Sequence, residues 1–327
     1  MSPYWGATFF DFIPLFFSRI FQLLTGALAW KNLASDEIQI FTLGLISIAS
    51  ALVGTLLVLK RMTMLANALS HTILLGIVIA YILLFLGTGG GMQINFQILI
   101  VAALATGILT TLLTQILHQV MKLQEDASIG LVFTTLFALG IVFVTLYTRN
   151  AHIGLEVVMG NADALHLNDV KIAFGMALTS ALVVTLFFKE WKLICFDTGL
   201  ATALRYRPAL FSYLLMLLTS GTAISAFRAV GVLLFLAFLV GLPLTARFLT
   251  HNLRKVLLLA SVIGLFCTLF GVALARHFLT VYQMPLSTAG LVVTSIGGVF
   301  VIVLIVKPLR KIKKTTEITE ATESGLK

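Results

Sequence analysis

KRMTMLANALSHTILLG, residues 60–76, joins two apolar segments and holds polar side chains at the start of the second one. If the second segment is helical, Asn67 and His71 are four residues apart and share a face, with Ser70 beside them. An imidazole inside a membrane segment is costly unless it faces a partner or a polar cavity. The pattern predicts a functional site here, although a polar patch that only joins two helices would look the same. Small residues in the segment let a neighbouring helix come close: Ala66, Ala68 and Gly76.

The composition around this stretch is that of a membrane protein. Of the 327 residues, 59% are hydrophobic and only 11% are charged, with a mean hydropathy of +1.07. Soluble domains average about 25% charged residues. No soluble core could bury this much apolar surface, so the bilayer must be the solvent. The sequence predicts an all-α polytopic membrane protein with about nine transmembrane helices, eight to ten, and no soluble domain.

Apolar windows of about 20 residues are long enough to cross a bilayer. They occur near 38–59, 66–86, 96–118, 129–148, 170–188, 209–226, 230–246, 256–276 and 285–306. The sixth and seventh are the least distinct, because Arg228 lies between two short runs.

The net charge of +9 does not indicate a nucleic-acid partner. If the spans alternate, most Lys and Arg cluster on one side, which the positive-inside rule assigns to the cytoplasm. The charge pattern therefore predicts which ends of the spans face the cytoplasm. Five basic residues fall singly on the other side: Lys31, Arg149, Lys171, Arg228 and Arg276.

Three regions follow from the distribution of apolar residues. Residues 1–37 form an N-terminal extension in which 7–30 is either an interfacial helix or an extra span. Residues 38–308 form the transmembrane domain. Residues 309–327 form a polar cytoplasmic tail, expected to be disordered and to contact anionic membrane lipid. Cys195 and Cys267 are expected to form neither a disulfide nor a metal pair.

The cytoplasmic loop 189–208 contains a predicted short helix. Asp197 is placed to cap a helix from Thr198 to Leu204, which ends before Pro208. Its apolar face suits docking into a groove on a partner, or alternatively lying on lipid. That face comprises Leu200, Ala203 and Leu204.

Two further features allow both a functional and a structural interpretation. The outward loop contains His152, Glu156, Asp163, His166 and Asp169, which could guide a divalent ion or could simply be solvated polarity. The segment 228–247 contains Gly231, Gly241 and Pro243, which indicate either a kinked, moving helix or close packing.

Several motifs are missing from the sequence. It contains no GxxxxGK[ST], HExxH or GxSxG motif, which argues against an enzyme. It also lacks the dense line of membrane carboxylates typical of proton-coupled carriers. If the protein moves a solute uphill, the energy is expected to enter through another subunit.

Five blocks in order resemble the membrane permeases of bacterial ABC importers for zinc, manganese and iron. They are RMTMLANALSHTILLGIVIAY from residue 61, EDASIGLVFTTLFALGIVF from 125, Met159-Gly160-Asn161, FKEWKLICFDTGLATALRY from 188 and FRAVGVLLFLAFLVGLPLTARFL from 227. The resemblance covers about residues 38–308. It implies a multi-pass protein of the bacterial cytoplasmic (inner) membrane. It also implies two paired permeases, identical or different, two cytoplasmic ABC ATPases and an extracytoplasmic metal-binding protein.

The resemblance also assigns roles to residues. The family's cytoplasmic Phe-Asp loop couples to the ATPase, which implies this role for Phe196, Asp197 and the helix residues Leu200, Ala203 and Leu204. The family's Asp and His, four residues apart, contact the metal; His71 matches the His, but Asn67 replaces the Asp. An amide offers a neutral carbonyl oxygen where the acid offers a full charge. A second, different permease could supply the missing carboxylate.

The expectation is a permease subunit of an ATP-driven divalent-metal importer, with Asn67, Ser70 and His71 at a translocation gate. Manganese, zinc or iron would be the transported substrate, with no permanently bound cofactor, and ATP hydrolysis would occur in the partner. One alternative is a permease for a metal chelate or other small ligand. The other is a self-sufficient secondary carrier or channel.

Overall fold

The computed structural model describes residues 3–88, 96–147 and 162–324, and these form helices joined by short connections, with no strand among them. In chain order the helices are α1 (Phe9–Leu24), α2 (Ser35–Leu59), α3 (Thr63–Thr88), α4 (Phe96–Gln119), α5 (Glu125–Tyr147), α6 (Leu167–Leu186), α7 (Phe188–Phe196), α8 (Thr198–Ala203), α9 (Pro208–Leu236), α10 (Leu242–Leu249), α11 (Leu253–Val281) and α12 (Thr288–Ser324). A π-helical turn, Ala237–Gly241, joins α9 to α10, and short 3-10 turns lie at Trp30–Asn32 and Ala162–Ala164.

The predicted transmembrane architecture is confirmed. Seven segments of the described chain are long and apolar enough to cross a membrane: 35–59, 126–146, 167–186, 208–227, 229–249, 253–281 and 288–307. Helices α3 and α4, with 26 and 24 residues, lie at two further predicted spans. At 1.5 Å per residue both exceed the ~30 Å thickness of the hydrocarbon core.

Helix α2 is the centre of the bundle. Of its most apolar window, 72% is buried inside the protein, more than for the six other segments. It packs against α6, α9, the π-helical turn and α11. A span enclosed by protein needs small residues at close contacts. Gly54 faces the backbone of Leu239, and Gly44 faces the side chain of Leu265.

The sixth and seventh spans form a hairpin. Lys60 Nζ, just after α2, donates to Ser212 Oγ at the start of α9 over 2.5 Å. Arg247, near the end of α10, lines the same small cavity as Leu59, the last residue of α2. The start of α9 and the end of α10 therefore lie at the same end of the bundle. The break lies at Gly231, whose φ of 72° and ψ of 175° are outside the helical region. Only glycine adopts such angles without strain, so Gly231 marks the reversal of the chain.

The opposite, outer end of the bundle holds the acidic residues of the first turn of α2. Arg276 Nη2, near the end of α11, pairs with Asp36 Oδ2. Arg19 of α1 pairs in the same way with Glu37, which also accepts a hydrogen bond from Tyr4 Oη at 2.8 Å. Arg276 was one of the five basic residues on the predicted outer side, and the structure places its charge against a carboxylate there.

Two smaller expectations concern the cysteines and the tail. Cys195 is partly buried, Cys267 is buried, and both are free cysteines. In the part of the tail that the structure describes, α12 continues to Ser324, where the sequence analysis expected disorder. Lys, Glu and Ala are strong helix formers, and adding residues to an existing helix avoids the cost of nucleating a new one.

Candidate functional site

The polar face predicted in residues 60–76 belongs to α3 and is directed in part toward α5. Asn67 and His71 lie one turn apart, and both side chains are half-buried. The His71 ring lies 5.5 Å from the ring centroid of Phe133 and 5.1 Å from that of Phe137, both on α5. Ser70 is in the same turn of α3, but its side chain lies outside the part of the chain that the structure describes.

Helix α4 fixes α3 from another side. Thr110 Oγ1 donates to Thr72 Oγ1 over 3.0 Å. A β-carbon on Gly76 would lie 2.3 Å from Thr106 Oγ1 and 2.6 Å from the carbonyl oxygen of Ala102. The predicted close approach at Gly76 is therefore confirmed. These contacts fix the rotation of α3 about its axis, and hence the direction of the face that carries Asn67 and His71.

The aromatic neighbours of His71 bear on its capacity to act as a metal ligand. Ring contacts can hold the imidazole plane in one orientation, and an imidazole nitrogen is a good ligand for divalent first-row metals. The Asn67 side chain can add only a neutral oxygen ligand. An imidazole nitrogen and a neutral oxygen are ligand types suited to weak, reversible binding of a divalent ion.

The outward loop does not form a metal site within the described residues. His152, Glu156 and the segment 159–161 lie outside the described residues. Asp163 accepts hydrogen bonds from Thr288 Oγ1 at 2.5 Å and from Gln39 Nε2 at 3.4 Å. Asp169 accepts one from the backbone nitrogen of His166 at 2.8 Å, which caps α6. The described residues contain no group of three or more His, Cys, Asp and Glu able to hold a metal ion, and both described carboxylates have structural partners.

The predicted short cytoplasmic helix is present as α8. Asp197 Oδ1 accepts from the backbone nitrogen of Leu200 at 2.9 Å, which confirms the predicted cap. At the other end, Arg205 adopts a left-handed φ of 63°. The backbone nitrogens of Arg205 and Tyr206 each donate over 3.0 Å, to the carbonyls of Thr202 and Ala201. This is a Schellman motif, so α8 is closed at both ends although it has only six residues.

One side of α8 faces the protein and another faces away from it. Ala201 is fully buried, whereas Leu200 and Leu204 are 49% and 57% exposed. Phe196 of α7, which comes just before the cap, is 63% exposed. We refer to the exposed set as the cytoplasmic apolar face; it comprises Phe196, Leu200, Ala203 and Leu204.

The buried residues that hold this face in position were not identified from the sequence. Trp191 of α7 is fully buried, and its ring centroid lies 5.2 Å from that of Phe211, at 85°, in the first turn of α9. The sequence does not reveal this role of Trp191, because the residue lies in a polar segment between Lys189 and Lys192. A tryptophan in such a polar segment was the one available signal.

A cleft of about 650 Å³ lies beside the cytoplasmic apolar face. The Arg254 guanidinium lies 5.2 Å from the ring centroid of Phe188, across the cleft. The cleft is lined by Phe188, Lys189, Lys192, Phe196, His251, Asn252, Leu253 and Arg254. Its basic residues come from two segments about sixty residues apart in the sequence, so the sequence pattern did not predict it.

Comparisons with known proteins agree with this architecture. The chain matches the family described as the ABC 3 transport family over residues 38–307. It is 38% identical to a probable metal transport system membrane protein of Chlamydia trachomatis, over 93% of this chain and 94% of that protein. It is 38% identical to the manganese transport system membrane protein MntD of Bacillus subtilis, over 67% of this chain and 76% of that one. It is 32% identical to the zinc transport system membrane protein TroD of Treponema pallidum, over 86% and 76%.

The fold is also found among solved structures. PsaBC from Streptococcus pneumoniae in complex with Fab superposes with a TM-score of 0.68 at 22% identity, over 84% of this chain and 92% of that one. The family match covers most of the length, and the apolar helices form the same fold. The chain belongs to the ABC 3 transport family and is a multi-pass membrane permease of a bacterial ABC metal transporter in the inner membrane.

Proposed function

We propose that this chain, with a second permease subunit, forms the translocation pathway of an ATP-driven importer for manganese, zinc or iron. A cytoplasmic ABC ATPase supplies the energy, and an extracytoplasmic metal-binding protein delivers the ion. The relatives named for manganese and zinc transport support this substrate class. The observation that carries the proposal is the cytoplasmic apolar face, which is exposed although its helix is closed at both ends.

The cytoplasmic apolar face is the docking surface for the ATPase. Exposed leucines on a rigid, capped helix suit insertion into a groove on a partner. The buried Trp191 and Ala201 hold α7 and α8 against the rest of the bundle. A displacement of α8 by the partner is therefore passed to the membrane helices and is not lost in a flexible loop.

A continuous set of contacts leads from that surface to the proposed gate. Helices α8 and α9 pack together, and Ser212 of α9 accepts from Lys60 Nζ. Lys60 lies three residues before α3 begins at Thr63. A shift of α9 thus acts directly on the turn that starts α3, which carries Asn67 and His71.

At the gate, His71 provides an imidazole ligand, and Asn67 and Ser70 provide neutral oxygens. Neutral oxygens hold a divalent cation less tightly than a carboxylate. Weak binding suits a pathway, because an ion must also leave the site. The permease itself neither forms nor breaks a covalent bond.

The direct test is transport in proteoliposomes that contain this chain, its ATPase, the second permease and the binding protein. Uptake of radiolabelled manganese, zinc and iron is measured with and without ATP. We expect ATP-dependent uptake of one of these ions. Uptake that does not depend on ATP would instead identify a secondary carrier or channel. An assembled transporter that takes up none of the three ions would contradict the proposed substrate class.

A further inference from the structure

Helix α1 belongs to the segment that precedes the family match, which begins at residue 38. It packs across the outer ends of two spans. At its start, the Phe9 ring lies 5.5 Å from that of Phe270 on α11, and the Phe9 backbone nitrogen donates to His277 Nδ1 over 3.3 Å. Near its end, Arg19 pairs with Glu37 in the first turn of α2. Both ends of α1 are therefore held at the outer end of the bundle.

The depth of these contacts gives the orientation of α1. Asp36 pairs with Arg276, so these two residues lie at the same level on α2 and α11. Phe9 and Arg19 contact residues within about 9 Å of that level, since each helical residue rises 1.5 Å. Phe9 and Arg19 are thus at similar depths although they are ten residues apart, which favours a helix that lies along the membrane plane. Its 16 residues would span only about 24 Å, less than the ~30 Å hydrocarbon core.

The surface of α1 divides into three stripes at helical spacing. The first faces the protein and contains the buried Phe12 and Phe16. The second is exposed and apolar: Phe10, Pro14, Phe17, Phe21 and Leu24. The third is exposed and, apart from Leu15, polar: Asp11, Leu15, Ser18, Gln22 and Thr25. This pattern, with one stripe facing the protein, one apolar and one polar, is typical of a helix at a membrane–water interface.

We propose that α1 is an interfacial anchor whose apolar stripe inserts into the outer leaflet of the cytoplasmic membrane. The stripe is continuous with the exposed membrane-facing side of α11, since Phe9 joins Phe10 to Phe270 through ring contacts of 5.7 and 5.5 Å. Trp5 and Trp30, at the two ends of the segment, are 78% and 61% exposed, and tryptophan is typical of the headgroup level.

Apolar area, and not charge, drives this insertion. The polar stripe contains Asp11 and neither Lys nor Arg. Arg19, which could attract anionic headgroups, is on the protein side and paired with Glu37. Zwitterionic lipid is therefore sufficient for the anchor.

The anchor also holds the central helix. Glu37 accepts hydrogen bonds from Tyr4 Oη and from the Ala34 backbone nitrogen, both at 2.8 Å, besides its pairing with Arg19. Burial and the Glu37 carboxylate raise the pKa of Tyr4 above its ordinary value, so its hydroxyl stays a donor. The first turn of α2 is thereby tied to a helix fixed at the bilayer surface.

The test uses spin labels on neighbouring residues of the two exposed stripes. Phe17→Cys and Ser18→Cys are made in the full chain with Cys195 and Cys267 replaced by serine, and the assembled transporter is reconstituted in phosphatidylcholine vesicles. Accessibility to oxygen, which concentrates in lipid, is compared with accessibility to a water-soluble nickel chelate. We expect the oxygen-to-nickel ratio to be several-fold higher at position 17 than at position 18.

Two outcomes would overturn the proposal. Equal, high nickel accessibility at both positions would place the apolar stripe in water, as required of a docking site for a soluble partner. Shielding of position 17 from both reagents would mean that protein covers the stripe, from the partner permease or a second copy. The pair Phe21→Cys and Gln22→Cys repeats the comparison one turn later and serves if the first pair fails to assemble.

Discussion

A β-carbon on Gly54 would lie 1.9 Å from the carbonyl oxygen of Leu239, so α2 and the π-helical turn are in backbone contact. The oxygen belongs to main chain, which cannot rotate away as a side chain could. Gly54 is therefore required where the hairpin of the sixth and seventh spans packs on the central helix.

Gly54→Ala should destabilise the protein by about 3 kcal/mol, the upper end of the usual cost of overpacking. Thermal unfolding of the purified, assembled transporter measures the effect. Gly175→Ala in α6 is the matched control, because a β-carbon there meets nothing within 4 Å. Equal melting temperatures for the two variants would show that the helices separate without cost.

The pairing of Asp36 with Arg276 leads to a second stability prediction. Their side chains are only 7% and 13% exposed, so removing one partner leaves a buried charge. Arg276→Met should cost about 3–5 kcal/mol, and adding Asp36→Asn should recover much of it because no unpaired charge then remains. Lys255→Met, at an exposed site, controls for loss of a positive charge. A double variant no more stable than Arg276→Met would contradict this account.

Local patterns predicted much of this fold. The spans follow from runs of apolar residues, and the cap at Asp197 follows from a residue type placed just before a short helix. Both depend on neighbours in sequence, which the sequence displays directly. The same holds for the polar face of α3, since Asn67 and His71 are separated by one helical turn.

The contacts that the sequence did not reveal join distant residues. Asp36 and Arg276 are 240 positions apart, and before the structure Arg276 was only a basic residue on the predicted outer side. The basic cleft requires α7 to meet the turn before α11, which no local pattern specifies. Likewise, residues 7–30 had two possible roles because their length and composition fit both, and the proposed orientation of α1 rests on its contacts with α2 and α11.

The role of His71 can be separated from its packing by two substitutions. His71→Phe keeps a ring against Phe133 and Phe137 but removes both ring nitrogens, so folding should be preserved and metal uptake strongly reduced. His71→Ala should reduce uptake to the same extent. Radiolabelled metal uptake is measured alongside the amount of assembled transporter. If His71→Phe transports normally, the imidazole serves packing alone and the gate assignment fails.

Restoring a carboxylate at Asn67 should tighten metal binding in the pathway. Unit charges 4 Å apart attract by about 4 kcal/mol at an effective dielectric of 20. A tenfold change in affinity corresponds to about 1.4 kcal/mol, so a third of that attraction is enough to produce it. Asn67→Asp should therefore lower the KM for uptake by about tenfold. Asn67→Gln, which adds no charge, is the control. An unchanged KM in the Asp variant would place residue 67 away from the ion.

The cytoplasmic apolar face can be tested against the opposite side of its own helix. Leu200→Glu places a charge in the proposed ATPase contact, whereas Thr202→Glu places the same charge about 160° around α8, on an exposed site outside the face. We expect Leu200→Glu to reduce both co-purification of the ATPase and ATP-driven uptake, because a carboxylate is costly to bury in an apolar groove. Thr202→Glu should leave both near the unmodified level. The two glutamates have the same effect on net charge. The helix dipole favours a carboxylate at position 200, in the first turn of α8, and disfavours one at position 202, in its last turn. A loss confined to Leu200→Glu therefore reports the contact surface and not a weakened helix. Equal effects, whether large or absent, would mean that the ATPase does not dock on this face.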